Sequence, residues 1–183
     1  MTLGPESGRR DQSWRIVAWG GAVLLMLVPA VATQVSEQIA WDAGDFILFG
    51  SMLLAGCGLW ELAIRRSGSW AYSAGTAAAA AAAFLLFLVN GTVGVIGGEG
   101  ERVNLLFLAV IAVALAGALL ARFRAKGMAR AMAVTAVAQL AAGVAGLMLM
   151  PDLRGFLLGT ALFTPLWLLS AWLFAKAARE RHG

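Results

Sequence analysis

Apolar residues fall in six long blocks separated by short polar turns. The blocks run from about Ile16 to Gln34, Phe46 to Ile64, Ala71 to Gly97, Val103 to Ala121, Ala131 to Met150 and Gly155 to Ala175. A hydrocarbon core about 30 Å thick is crossed by about 20 helical residues. Each block therefore predicts one transmembrane helix, and the chain reads as an all-α polytopic membrane bundle of six helices. The connections are so short that neighbours must run antiparallel, which groups the helices into three hairpins, about 13 to 66, 69 to 124 and 127 to 180. Residues 1–15 are polar and read as a disordered lead, 16–175 as the transmembrane domain and 176–183 as a tail.

The first block carries an alternative. Its end, Ala30-Val31-Ala32, resembles a signal-peptidase site after a basic start. The uncharged run from Ile16 to Ser36 exceeds the roughly 7 to 15 residues of a signal h-region, which favours a retained span and leaves cleavage as the competing reading. A second pattern hints at repetition. Ser13-Trp14 and Ser69-Trp70 open two hairpins, and each Trp is followed at the same distance by an amide, Gln34 and Asn90. The third hairpin lacks this pattern.

Composition agrees with the blocks. Mean hydropathy is +0.81 and 13% of residues are charged, about half the usual share of a soluble domain. The net charge of +4 and pI near 10.2 would suggest nucleic acid in a soluble protein. Here twelve of the fourteen Lys and Arg lie at the two ends of the chain and in the turns after the second and fourth blocks. That is the positive-inside distribution, and it calls for no polyanionic partner and no nucleic acid. It predicts a bacterial inner-membrane protein with both termini cytoplasmic. Only Arg102 and Arg154 fall on the opposite side, with Glu37, Asp42, Asp45, Glu99, Glu101 and Asp152. Trp14, Trp41 and Trp70 fall near the expected interfaces, where indoles anchor helices.

Five polar residues within the blocks are candidates for a pore or for polar packing: Glu61, Asn90, Thr92, Thr135 and Gln139. Glu61 reads either as a cation- or proton-handling acid, the default for an intramembrane carboxylate, or as an i,i+4 partner of Arg65 that snorkels to the interface. Asn90 and Thr92 sit beside Gly91, Gly94, Gly97 and Gly98. There a locally opened helix could expose carbonyls to a solute or ion, or the same residues could be interhelical glue beside a small-residue face. The Asn90-Gly91-Thr92 sequon has no meaning inside a membrane. Thr135 and Gln139, four apart, share one face and could meet Asn90 across the bundle, or simply bond helices together. Gly94/Gly98 and Gly155/Gly159 have the spacing of close helix approach.

Other chemistry is set aside. Asp42 and Asp45 suit the start of a helix; a cation entry site with Glu37 is the sharper alternative. Gly44-Asp45 resembles half of an intramembrane aspartyl protease motif, and the second aspartate is missing. The single Cys57 supports neither a disulfide framework nor a zinc site. The single His182 excludes paired haem ligation and a histidine base. No glycine-rich phosphate loop follows a strand pattern. No cofactor, no metal and no enzymatic activity are expected, since no nucleophile is paired with a base.

Across residues 41 to 140 the chain resembles uncharacterised small multi-span membrane proteins of alphaproteobacteria. The resemblance rests on Asp45-Phe46, Glu61-Leu62-Ala63, Ala71-Tyr72, Asn90-Gly91-Thr92-Val93-Gly94-Val95-Ile96-Gly97, Ala121-Arg122-Phe123, Gly127-Met128-Ala129-Arg130 and Ala138-Gln139. It implies the membrane class and carries no activity. Function is thus left between a small-solute or ion transporter or channel and a non-catalytic structural or assembly subunit. The latter would dock its glycine faces on another membrane protein or a second copy.

Overall fold

The structure, a computed structural model, describes residues 5–35, 41–98 and 100–180. Readings placed on Glu37, Glu99, Arg181 and His182 lie outside these residues, as do the side chains of Arg9, Arg10, Trp14, Arg15 and Arg66. Among the described residues there are six α-helices and no strand: α1 (Pro5–Val35), α2 (Ala43–Ser67), α3 (Trp70–Thr92), α4 (Leu105–Leu120), α5 (Ala125–Leu149) and α6 (Leu153–Glu180). A 3₁₀ turn, Arg102–Asn104, leads into α4. All six helical segments are long and apolar enough to cross a membrane, so the chain is a multi-pass membrane protein.

The helices extend past the apolar blocks at most ends. An apolar block marks hydrocarbon, whereas backbone hydrogen bonding continues into polar residues that favour helix. Thus α5 starts at Ala125 rather than Ala131, α6 runs to Glu180 rather than Ala175, and α1 begins at Pro5, inside the lead read as disordered. Proline suits that first helical position because its missing N–H would find no partner there. Four ends fall short, three of them, at α4 and the end of α5, by only one or two residues. Helix α3 stops at Thr92 instead of continuing to Gly97, because Gly94 adopts φ 73° while Val93 and Gly94 both donate to the Val89 carbonyl, a left-handed helix stop.

The chain forms two compact units, Met1–Leu62 and Ala63–Gly183. In the first, α1 and α2 make an antiparallel hairpin: Met26 lies against Gly50, and the Cys57 thiol approaches the Ala18 carbonyl at 3.8 Å. Asp42 and Asp45 cap α2 reciprocally, each carboxylate accepting the other's backbone N–H at 3.0 Å. Trp41, just before the cap, packs edge-on against Phe46 and Phe49, a hydrophobic staple fixing the entry of the helix. The capping reading of these acids is thus what the structure shows, while Glu37, the third acid of the alternative, lies outside the described residues.

In the second unit α6 is the central element. It packs closely against α5 and α3, α5 also packs against α4, and the α3–α4 contact is thinner. Its buried face, including Gly155, Gly159, Phe163, Trp167, Ser170 and Phe174, follows the i, i+4, i+7 spacing of one helical stripe. Small residues set the approach. A Cβ on Gly143 would stand 2.7 Å from Thr160, and one on Gly117 2.8 Å from Ala131. At Ser69 the side chain accepts the Tyr72 N–H and starts α3.

Candidate functional site

The sequence candidates separate. Asn90, Thr135 and Gln139 are buried in the second unit, Thr135 and Gln139 completely. Thr92 is exposed and its hydroxyl donates back to the Leu88 carbonyl at 2.8 Å, since residues two apart on a helix point to different sides. Glu61 is half-buried on α2, in the first unit. Thr135 donates to the Ala131 carbonyl within its own helix and reaches no other helix. Gln139 does cross: its Nε2 donates to the Gly159 carbonyl of α6 at 3.5 Å.

Among the described residues of this unit four buried side-chain atoms have no hydrogen-bond partner: Asn90 Oδ1, Gln139 Oε1, Thr164 Oγ1 and Trp167 Nε1. They come from α3, α5 and α6, and their heights follow from the helix register. Ser170 donates to the Gly75 carbonyl at 2.8 Å, which sets α3 against α6. Running antiparallel from that contact, Asn90, in the last turn of α3, comes level with the first turns of α6, where Gln139 meets Gly159. Thr164 and Trp167 follow on α6 about 7.5 and 12 Å further along, at 1.5 Å per residue. The four atoms thus lie at successive heights along α6, starting from the Asn90 end. None of them is charged, for the buried polar residues are Asn90, Asn104, Thr135, Gln139, Thr164 and Ser170. Orphaned polar groups cost about 1 to 3 kcal/mol each when buried, so four of them in one unit need a physical explanation.

Above Asn90 the chain folds back over this end. Val95 and Ile96 are buried: Ile96 lies against Gly146, and Val95 against Gly159. Backbone polar groups cannot sit unpaired at such depth, and one side chain takes up most of them. Asn104 Oδ1 accepts the N–H groups of Val95 (3.0 Å) and Ile96 (3.1 Å), while its Nδ2 donates to the carbonyls of Ile96 (3.3 Å) and Gly98 (2.7 Å). Asp152 adds a second latch, accepting the Gly97 N–H on one oxygen and the Gly155 N–H on the other, both at 3.0 Å. The Ile96 and Gly98 carbonyls are therefore already engaged, which argues against a cation site built from them.

The Gly155 and Gly97 N–H groups hold the Asp152 carboxyl below its ordinary range. A depressed acid contributes stability above its unfolded pKa, and that contribution is lost as pH falls through the folded value. We expect exchange protection of the Gly97 amide to be flat across neutral pH and to fall only in acid, below about pH 4. Loss of protection near neutrality would contradict the Asp152 latch.

Sequence reasoning passed over Asn104, Thr164 and Trp167 and counted Asp152 only among the acids on the side opposite the basic turns. Trp167 did give a signal, since an indole in the middle of an apolar block is far from the interface where Trp collects. Comparison with family models, with curated proteins and with solved structures gave no match.

Proposed function

We propose that this protein is a non-enzymatic inner-membrane bundle, both termini cytoplasmic, that admits a small uncharged polar solute to the α3–α6 unit and passes it across. The observation that carries this reading is the set of four buried, unpartnered polar atoms at successive heights on three helices, which we read as one polar column. Its chemistry selects the solute class. The indole N–H only donates and the amide oxygens only accept, so an occupant must offer both donors and acceptors, as water, urea and small polyols do. An ion is disfavoured, because no Asp, Glu, Lys, Arg or His side chain is buried among the described residues and burying an uncompensated charge is costly.

Flux into proteoliposomes, followed by light scattering for water, urea and glycerol, tests the reading. The native protein should raise permeability to at least one of them, and Gln139→Leu should remove that increase. Asn90→Leu should do likewise while leaving thermal stability unchanged or slightly raised, because Asn90 Oδ1 has no protein bond to lose and an apolar replacement relieves its burial. The second reading, a structural or assembly subunit, draws on glycines of α2 with open space beside them, Gly56 and Gly58. It predicts permeability equal to that of empty vesicles.

A further inference from the structure

At the opposite end of the same unit, the turn between α4 and α5 is held in an unusual shape. Arg122 and Phe123 both adopt positive φ, 48° and 56°, a region costing a non-glycine residue about 1 to 2 kcal/mol. The fold fixes them there. Arg122, Phe123 and Arg124 donate their N–H groups to Leu119, Ala118 and Ala121, and the Tyr72 hydroxyl donates to the Phe123 carbonyl at 2.6 Å. Tyr72 is itself locked edge-on against Phe174, with ring centroids 5.0 Å apart.

This rigid turn carries four exposed cations within nine residues, Arg122, Arg124, Lys126 and Arg130. Helix α5 begins among them, so its positive dipole end adds to their field instead of offsetting it. The acid described at this end, Glu180, accepts from Ser69. Exposed Leu119, Leu120 and Phe123 flank the cations, as apolar and charged groups would at the boundary between acyl chains and headgroups. Orienting a membrane protein requires positive charge in such a turn but no strained geometry, and a flexible loop would serve equally well.

We propose that the Tyr72-held turn is a binding surface for the phosphate of an anionic phospholipid headgroup, with Arg122 and Arg124 as its principal contacts and Tyr72 as a positioning residue. Native mass spectrometry of the full chain from mixed micelles of phosphatidylglycerol and phosphatidylcholine provides the test. Phosphatidylglycerol should be retained preferentially. Arg122→Gln and Arg124→Gln should each lower that retention about fivefold, the effect of one basic residue near an anionic surface. Tyr72→Phe, which keeps the ring packing, should lower it as well, while Arg179→Gln, an exposed cation elsewhere at this end, should have little effect. Equal losses from Arg122→Gln and Arg179→Gln would reduce the effect to diffuse charge and overturn the proposal, as would full retention in Tyr72→Phe. Displacement by equimolar inorganic phosphate would identify free phosphate as the ligand and likewise overturn it.

Discussion

Asn104→Leu is expected to destabilise the α3–α6 unit by about 3 kcal/mol or more. The leucine would leave the Val95 and Ile96 N–H groups and the Ile96 carbonyl without the partner they now share, and each buried group left unpaired costs about 1 to 3 kcal/mol. Water cannot rescue them easily, because Val95 and Ile96 are 7% and 0% exposed. Denaturation in mixed detergent micelles would read the loss directly. Asn104→Ala should be similarly damaging, since the missing hydrogen bonds, not side-chain volume, dominate. A loss below about 1 kcal/mol, the net worth of one ordinary hydrogen bond, would show that the folded-back segment is not held by Asn104.

A comparable loss is expected for Gly94→Ala, by a different route. At φ 73° an alanine costs about 1 to 2 kcal/mol in backbone strain alone. Its Cβ would also collide with the Gly98 carbonyl and stand 2.7 Å from Asn104 Nδ2, pushing on the same clamp. Gly91, three residues earlier, lies within α3, and a Cβ added there would meet nothing within 4 Å. At that position alanine should stabilise the helix by about 0.5 to 1 kcal/mol. The two substitutions are the same chemical change in one glycine-rich stretch, and opposite signs are expected. A destabilising Gly91→Ala or a harmless Gly94→Ala would mean that α3 does not end where the Val93 and Gly94 N–H groups turn back to Val89.

The six helices were legible because lipid imposes one solution on an apolar block: a helix satisfies its own backbone, and its length is set by the bilayer. The capping role of Asp42 and Asp45 was legible for a related reason, being local. Thr135 and Gln139 were correctly placed on one buried face by their spacing of four. The pairing of Asn90 with Thr92 ignored the same periodicity, and the structure turns Thr92 outward. Asn104 and Asp152 were not legible. Their partners are backbone groups of residues 95–98, and nothing in a side-chain pattern marks a main-chain N–H or carbonyl that will need an amide eight residues away or a carboxylate 55 residues away. The αL pair at Arg122 and Phe123 was hidden likewise, because its support, the Tyr72 hydroxyl, lies 51 residues earlier in the chain.

That the polar column is wet is the central claim, and hydroxyl-radical footprinting of the protein in liposomes tests it most directly. Radicals generated from water label side chains that water touches. Trp167 is 0% exposed, yet it should be oxidised at a rate approaching that of Trp70, which is 61% exposed, while the equally buried Phe163, one turn earlier on α6, stays unlabelled. Gln139→Leu should lower the labelling of Trp167 by closing the column above it. Protection of Trp167 as complete as that of Phe163 would contradict the claim, leaving a dry bundle whose four unpartnered atoms are a cost of packing alone.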